Sequence, residues 1–535
     1  MIVRKREWAG RWTRGVVPVA VMLLAVLAGG APNGRATPAD APDLVAVDSG
    51  QLHGTVRADH RLFAGIPYAA APVGERRWRP PEPVAAWPGV REASGAGSKC
   101  AQGIGVGGLR STQEDCLYLN VWTPRTVPAD GRALPVMVWL HGGGLTTGDG
   151  STYGAAPLVS RNDAGVIVVT VNYRLGALGF LAASALDEGA GSGDYGLMDQ
   201  LAALRWVQRN IGAFGGDPGR VTVAGESAGA ISICALLATT EATGLFQAAV
   251  MQSGPCSAVP MSVARANGDD WAAQVGCGGT DAAACLRALP AATLVDRAPK
   301  QTKVVYGNDL LARDPRDALK AGALLNVPVF VGSNHDEMAF WAWLSYGIPL
   351  GPRLEAADYR TALTAALDGL DTGQIDQVAQ RYPVSEFAQP AVALTRAWTD
   401  RVVCALHDQI RDLSRRNPTY VYEFDDRAAL APPSSFPMGA YHGGELPSLF
   451  DLANAGFLLQ GVMSADQRRL ADEMRRYWTR FVIGGAPDPA GLEAAPRYDA
   501  DAPALLRFRQ VDSEVSGDFA SDHRCDFWQD LPLLP

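Results

Sequence analysis

One short stretch, Gly225-Glu226-Ser227-Ala228-Gly229, has the residue types of a nucleophile held on a tight turn. The preceding VTVA favours a strand, and the following AISICALLATT favours a buried helix. At such a junction the two glycines let strand and helix approach closely, while Ser227 takes a strained conformation that exposes its hydroxyl. The pattern by itself is weak and also fits an ordinary surface turn. The chain must therefore supply the other groups that a serine nucleophile needs.

A serine hydroxyl needs an adjacent base, and the base needs an orienting carboxylate. His442 is the best base candidate among the seven histidines, because it lies in a glycine-flanked loop, MGAYHGGELP, after the apolar run TYVYEF. His407 and His523 fit structural roles better. Asp336 and Glu337 follow the apolar run VPVFVGSN, and either can be the carboxylate. Both also fit a pair of solvated acids at a strand end.

Three consecutive glycines, residues 142–144, follow the apolar run LPVMVWLH. Glycines after a strand free backbone N–H groups to meet a negatively charged oxygen, so this loop can stabilise an oxyanion. A glycine-rich turn without function is the alternative. A phosphate loop is a poor fit because the Lys-Ser/Thr ending is missing, and GIGVGG at 103–108 follows no strand and opens no helix, which argues against a dinucleotide site.

The elements that must position these groups alternate along the chain. Six apolar, β-branched runs predict buried strands: LPVMVWLHGG, GVIVVTVNY, RVTVAGE, AAVMQSG, VPVFVGSN and TYVYEFDD. Stretches between them, such as YGLMDQLAALRWVQRNIGAFGG, have apolar residues at helical spacing. This alternation predicts an α/β fold with a mostly parallel sheet covered by helices on both faces. Sites in such folds lie at the carboxyl ends of the strands, where every group named above is expected.

Length, composition and charge limit the class of protein. The chain has 535 residues, 47% hydrophobic and 19% charged, which is typical of a folded protein, and its net charge of −9 argues against nucleic-acid binding. Residues 1–36 combine a basic start with an apolar run, and we expect a signal peptide there, with an uncleaved anchor as the alternative. We expect one large domain over residues 37–535. No later stretch is apolar enough for membrane insertion, so an exported, soluble product is expected.

Eight cysteines in an exported chain invite disulfides. Two pairs are close in sequence, Cys100 with Cys116 and Cys277 with Cys285, but sequence alone cannot fix the connectivity.

Taken together, the motifs make the chain similar to the type-B carboxylesterases, the family that also holds cholinesterases and some fungal lipases. The similarity runs from about residue 43 to 535 and includes FAGIPYAAAPVGERRWRPP, EDCLYLNVWTP, WLHGGGLTTGDGSTY, VTVNYRLGALGFL, GESAGA, MQSG, NHDE, AYHGGELP and CDFWQDLP. The resemblance implies an α/β-hydrolase fold and a Ser-Glu-His catalytic triad.

Carried over by motif, the resemblance makes Ser227 the nucleophile, His442 the base and Glu337, rather than Asp336, the acid. It places the oxyanion donors at the backbone N–H groups of Gly143, Gly144 and Ala228. It also sets Glu226 beside the nucleophile and implies that Ser253 supports the triad. The disulfides that it implies are Cys100–Cys116, Cys277–Cys285 and Cys404–Cys525, with Cys234 and Cys256 left as free thiols.

Two departures from the family pattern stand out. Cholinesterases carry a Trp that binds the choline cation in the loop between the first two cysteines, whereas AQGIGVGGLRSTQED has no aromatic residue, so we do not expect a cholinesterase. Met338 stands where the family usually has Gly, which raises a question about the local turn.

The resulting expectation is a secreted serine carboxylesterase that acts on a small-molecule ester through an acyl-enzyme and needs no metal or cofactor. A lipase or an esterase of narrow specificity is the alternative, and a catalytically inactive binding or adhesion protein is a more distant one. The sequence reveals neither the natural ester nor the oligomeric state.

Overall fold

The structure, a computed structural model, describes residues 42–532 except 106–107, 127, 129, 161–164, 188–191, 300–301, 349–350, 432–434 and 453–461. The expected signal peptide, residues 1–36, lies outside the described residues. The strands are β1 (Leu44–Val47), β2 (Gly50–His53), β3 (Thr55–Val56), β4 (His60–Pro67), β5 (Val90–Glu92), β6 (Tyr118–Pro124), β7 (Leu134–Leu140), β8 (Ile167–Val171), β9 (Gly216–Glu226), β10 (Ala248–Gln252), β11 (Val259–Pro260), β12 (Val305–Tyr306), β13 (Val329–Asn334), β14 (Thr419–Phe424), β15 (Leu505–Phe508) and β16 (Glu514–Ser516).

A large mixed sheet forms the centre of the fold. Its strand order is β16-β15-β14-β13-β10-β9-β7-β8-β6-β4-β3. The strands from β8 to β15 in this order pair in parallel, and antiparallel strands lie at both edges. The six apolar runs of the sequence became β7, β8, β9, β10, β13 and β14, so those strand predictions are confirmed.

Both faces of the central strands are covered. Every residue of β7, β8, β10 and β13 is buried, which is the burial pattern of parallel strands packed between helices. The α-helices are α1 (Ala156–Val159), α2 (Gly176–Phe180), α3 (Tyr195–Asn210), α4 (Ala228–Ala238), α5 (Met261–Gln274), α6 (Ala282–Ala288), α7 (Ala291–Asp296), α8 (Pro315–Lys320), α9 (Ala339–Tyr346), α10 (Tyr359–Ala366), α11 (Thr372–Arg381), α12 (Pro390–Ser414), α13 (Leu446–Leu449), α14 (Ala465–Gly484), α15 (Phe519–Asp522) and α16 (Cys525–Trp528).

Four disulfides cross-link the chain. Three of them, Cys100–Cys116, Cys277–Cys285 and Cys404–Cys525, are the pairs that the family resemblance implies.

The expectation that Cys234 and Cys256 stay free thiols is wrong, because the structure joins them in the fourth disulfide. Cys234 lies on α4, and Cys256 lies in the segment that leaves β10. Helix α4 packs on β10, which brings the two Cα atoms to 5.4 Å, inside the range that a disulfide spans. Both cysteines are buried, and a buried apolar site suits a disulfide as well as it suits two free thiols.

No helix in the described part of the chain is both long enough and apolar enough to cross a membrane.

Candidate active site

Ser227 stands at the sharp turn between β9, which ends at Glu226, and α4, which begins at Ala228. Its backbone has φ 54° and ψ −118°, a conformation that costs a non-glycine residue about 1–3 kcal/mol. The flanking glycines explain how the turn closes. A Cβ at Gly225 would lie 2.7 Å from the carbonyl oxygen of Leu140, and a Cβ at Gly229 would overlap the same oxygen. Only glycine fits at these positions, as the sequence pattern predicts.

His442 and Glu337 meet at the carboxyl ends of β13 and β14. Glu337 follows β13, and His442 lies in the loop between β14 and α13. The His442 Nδ1 atom is 2.6 Å from Oε2 of Glu337. The other Glu337 oxygen accepts the backbone N–H of Asn334 at 2.8 Å, and the His442 backbone N–H donates to the Glu337 carbonyl oxygen at 3.2 Å. The carboxylate is therefore fixed at both oxygens, and it orients the imidazole.

Asp336, the other acid considered from the sequence, is placed elsewhere. Its carboxylate lies 3.1 Å from Nδ1 of His335 and accepts the backbone N–H of Ala440 at 2.9 Å. The structure therefore pairs His442 with Glu337 and gives Asp336 a separate set of contacts.

The second nitrogen of His442 faces Glu226. The Nε2 atom is 3.0 Å from Oε1 of Glu226, the residue that precedes Ser227. A Cβ at Gly142 would overlap Oε2 of Glu226 and lie 3.1 Å from Cβ of Ser227, so the glycine loop, the carboxylate and the serine converge on one space. Ser227, Glu226 and His442 all line the same cavity.

Burial and charge together set the protonation of this group. Burial opposes protonation of His442, but the charges of Glu226 and Glu337 outweigh it and raise the pKa to about 9. Burial raises the pKa of Glu226 to about 8, against the lowering effect of His442. Because the two side chains lie 3.0 Å apart, the charge of each one acts on the protonation of the other.

The glycine loop leaves backbone donors free in the cavity. Gly143 has φ +109° and Gly144 has φ +63°, a region that side chains disfavour. The Gly143 carbonyl accepts the N–H groups of Thr146 and Thr147 at 3.1 and 3.0 Å. The N–H groups of Gly143 and Gly144 donate to no other described residue. Ala228, the first residue of α4, has an N–H without a partner in the helix.

The cavity has a volume of about 390 Å³ and a largely apolar wall. Trp341 of α9 lines the cavity, and its ring centroid is 4.7 Å from that of His442. Trp343 is instead buried against Phe340. Further apolar lining residues are Ile104, Tyr153, Phe340, Leu344, Tyr441, Leu446 and Leu452.

Glu445 belongs to the site, although the sequence reasoning missed it. It is fully buried, and its two oxygens accept hydrogen bonds from Gln252 at 2.9 Å and Asn334 at 2.6 Å. Burial raises its pKa, and its charge also acts on Glu226 and His442. The sequence did hold a signal for Glu445: it lies three residues after His442 and is separated from it only by two glycines, so it belongs to the same loop as the base.

Two details of the family resemblance can be placed. The Ser253 Oγ atom is buried and makes no hydrogen bond to a described residue. No hydrogen bond within the described residues therefore links the Ser253 side chain to the triad, although the resemblance implied that Ser253 supports it. Met338 has an ordinary backbone conformation, φ −86° and ψ 3°, and its N–H donates to Oγ1 of Thr399 at 3.0 Å. The turn therefore does not require the usual glycine.

One buried cluster, His335, Glu423 and His523, has ligand atoms within 4.8 Å of one another, as a metal site would. Its nitrogens are already engaged, because Nδ1 of His523 is 2.9 Å from Asp400 and Nε2 is 2.7 Å from Glu423. Arginine side chains lie on it as well: Arg396 is 3.2 Å from His335, and Arg507 donates to Glu423 at 2.6 Å. The cluster is an ion-pair network whose cations are the protein's own.

The chain is similar to known esterases along most of its length. The Carboxylesterase family model matches residues 41–528. The fumonisin B1 esterase of Sphingopyxis macrogoltabida is 36% identical over 89% of this chain and 88% of its own length. The para-nitrobenzyl esterase of Bacillus subtilis (strain 168) is 32% identical over 88% of this chain and 95% of its own, and the pyrethroid hydrolase Ces2e of Rattus norvegicus is 32% identical over 90% and 88%.

The chain belongs to the carboxylesterase family, has the α/β-hydrolase fold of that family, and is a serine hydrolase that acts on carboxylic esters.

Proposed function

We propose that the enzyme hydrolyses esters by two-step acyl transfer with Ser227 as nucleophile, His442 as base and Glu337 as the orienting acid. The observation that carries the proposal is the placement of His442. Its Nδ1 is held by Glu337, its Nε2 lies 3.0 Å from Glu226, the residue before Ser227, and His442 and Ser227 line the same cavity. Glu337 fixes the imidazole tautomer and orients the ring, and its carboxylate stabilises the imidazolium.

In the first step the Ser227 Oγ atom bonds to the ester carbonyl carbon, and its proton passes to Nε2 of His442. The carbonyl oxygen becomes an oxyanion, which the N–H groups of Gly143, Gly144 and Ala228 stabilise. The tetrahedral intermediate then breaks its bond to the alcohol oxygen, which takes the proton from His442. Water repeats the sequence on the acyl-enzyme, restores Ser227 and releases the acid.

Replacement of the nucleophile tests the proposal. The Ser227→Ala variant is expected to lose hydrolysis of short p-nitrophenyl esters by at least about 10⁴-fold while keeping its melting temperature. A matched control is Ser253→Ala, which also sits at a positive φ of 53° but does not line the cavity, and it should retain turnover. Turnover by Ser227→Ala at a rate close to that of the unmodified enzyme would show that Ser227 is not the nucleophile. The presence of Ser227, His442 and Glu337 together argues against the alternative of a catalytically inactive binding protein.

The proposed substrates are uncharged small-molecule esters. Each acidic side chain among the described lining residues has a basic partner, because Asp149 pairs with Lys99 at 3.1 Å and Glu226 contacts His442 at 3.0 Å. The named substrates of the relatives, fumonisin B1, pyrethroids and para-nitrobenzyl esters, differ from one another, so the family leaves the specificity open. The loop between the first two cysteines contributes Ile104 and Gly105 to the wall, with no aromatic ring for a choline cation.

We also propose that the enzyme is exported, with residues 1–36 as a signal peptide and residues 37–535 as the mature domain. Four disulfides support an oxidising compartment, because thiols stay reduced in the cytosol. N-terminal sequencing of the protein recovered outside the cytoplasm tests this, and an intact Met1 on that protein would contradict it.

A further inference from the structure

One carbonyl oxygen of the glycine loop accepts four hydrogen bonds. The Gly143 carbonyl accepts the backbone N–H groups of Thr146 and Thr147, and it also accepts their hydroxyl groups, with Oγ1 of Thr146 at 3.1 Å and Oγ1 of Thr147 at 3.3 Å. A carbonyl oxygen has two lone pairs, so four donors are more than it usually accepts. The two threonines therefore direct both their side chains and their backbone at a single peptide group.

This carbonyl belongs to the same peptide group as the N–H of Gly144, one of the proposed oxyanion donors. The C=O and the N–H of a planar trans peptide point in opposite directions. When the threonines hold the oxygen, the Gly144 N–H must point away from them. Gly143 and Gly144 both line the cavity, and the Gly144 N–H donates to no other described residue. The threonine hydroxyls thus help to set the direction of this donor.

The loop needs such restraint because its backbone is strained. Gly143, Gly144 and Leu145 have φ values of +109°, +63° and +60°, so three successive residues lie in the region that side chains disfavour. Neither residue beside the Gly143–Gly144 peptide has a Cβ, so rotation of this peptide meets little steric resistance. A reversed peptide would turn its carbonyl oxygen, in place of an N–H group, toward the developing oxyanion.

We propose that Thr146 and Thr147 are positioning residues for the oxyanion hole. Their hydroxyl groups hold the Gly143–Gly144 peptide in the orientation in which the Gly144 N–H can donate to the ester oxygen. The same bonds polarise the peptide, because hydrogen bonds that a carbonyl accepts strengthen the N–H of that peptide as a donor. The inference rests on the proposed function, since it takes the Gly144 N–H as an oxyanion donor.

The test removes the two hydroxyl groups and nearly keeps the shape of the side chains. It compares the unmodified enzyme with a valine double variant (Thr146→Val, Thr147→Val), a serine double variant (Thr146→Ser, Thr147→Ser) and the control Thr364→Val. The Thr364 hydroxyl on α10 donates at 3.0 Å to the carbonyl four residues back, as the Thr147 hydroxyl does, but Thr364 does not line the cavity.

We expect kcat for dissolved p-nitrophenyl acetate to fall about tenfold in the valine variant, with KM within about twofold, because acylation and deacylation both pass through an oxyanion. The loss is smaller than the 10²–10³-fold that removal of a donor typically costs, since the Gly144 N–H is still present. The serine variant, which keeps both hydroxyl groups, and the control should have kcat values within about twofold of the unmodified enzyme.

A second measurement connects the loss to the oxyanion. The carbonyl carbon of an aryl trifluoromethyl ketone bonds to the Ser227 oxygen, the Ser227 proton passes to His442, and the carbonyl oxygen becomes an oxyanion. The inhibition constant of this ketone should rise about tenfold in the valine variant, in step with the fall in kcat, and should stay unchanged in the serine variant and the control.

Other results overturn the proposal. An unchanged kcat in the valine variant would show that the hydroxyl groups do not position the peptide. A rise in KM alone, or an unchanged inhibition constant of the ketone, would place the effect outside the oxyanion hole. Equal losses in the valine and serine variants would assign them to altered packing. Each of these results leaves the proposed function standing if Ser227→Ala is inactive, whereas hydrolysis by Ser227→Ala at the unmodified rate refutes both.

Discussion

Replacing Glu226 with Gln should move the pH dependence of catalysis to lower pH. The change removes a negative charge 3.0 Å from Nε2 of His442 and keeps the size of the side chain. A cation that loses a neighbouring anion is less stable, so the pKa of the imidazolium must fall. Catalysis needs Nε2 without its proton, and the variant should therefore reach its deprotonated, active form at a lower pH than the unmodified enzyme.

The structure sets the size of this shift. Unit charges 3.0 Å apart at an effective dielectric constant of about 20 interact by about 5.5 kcal/mol, or about 4 pKa units, which is an upper limit. The pKa of His442 is raised to about 9 against an ordinary value of 6.5. Glu337 remains in the variant and keeps part of that increase, so we expect a decrease of about 1–2 pH units.

The assay is kcat/KM for a dissolved p-nitrophenyl ester measured between about pH 5 and pH 10. The midpoint of the acidic limb should move down by about 1–2 units in Glu226→Gln. Asp336→Asn is the matched control, because it removes a half-buried carboxylate that follows the same strand and does not contact His442. Its midpoint should remain at the unmodified value. A Glu226→Gln midpoint equal to or above that of the unmodified enzyme would refute the electrostatic reasoning.

Two further changes test the framework of the site. Gly229→Ala should reduce activity by at least about 100-fold and lower the free energy of unfolding by about 1–3 kcal/mol, because its methyl group would overlap the Leu140 carbonyl. Gly212→Ala is the control, because a Cβ there meets open space, and its melting curve and activity should be unchanged. Equal behaviour of the two variants would contradict the packing argument. Replacing Cys234 and Cys256 together with Ala should lower the free energy of unfolding by about 3 kcal/mol, the value expected for a loop of 22 residues. Denaturant unfolding without reductant measures this change. An unchanged free energy would show that this disulfide is absent from the folded protein.

Much of the fold was predictable because buried strands leave a strong local signal. The short apolar, β-branched run VPVFVGSN predicts a buried strand, and its last six residues form β13. The elbow was predictable for a related reason. Its geometry depends on two glycines at fixed spacing, Gly225 and Gly229, and the absence of a Cβ is visible in the sequence itself.

Contacts between distant segments could not be derived in this way. The choice between Asp336 and Glu337 depends on which carboxylate the His442 loop meets after folding, and local sequence does not encode that distance. The Cys234–Cys256 disulfide likewise follows from the packing of α4 on β10. Glu445 shows the same limit, because only the folded structure shows that its carboxylate is buried beside Asn334.

The most direct test of Ser227 as the nucleophile is to locate the covalent adduct of the enzyme with a fluorophosphonate by peptide mass mapping. We expect one adduct per chain, on the peptide that contains Gly225-Glu226-Ser227, with the added mass on Ser227 and no labelling of Ser227→Ala. Labelling of another residue, or labelling of Ser227→Ala at the rate of the unmodified enzyme, would contradict this assignment.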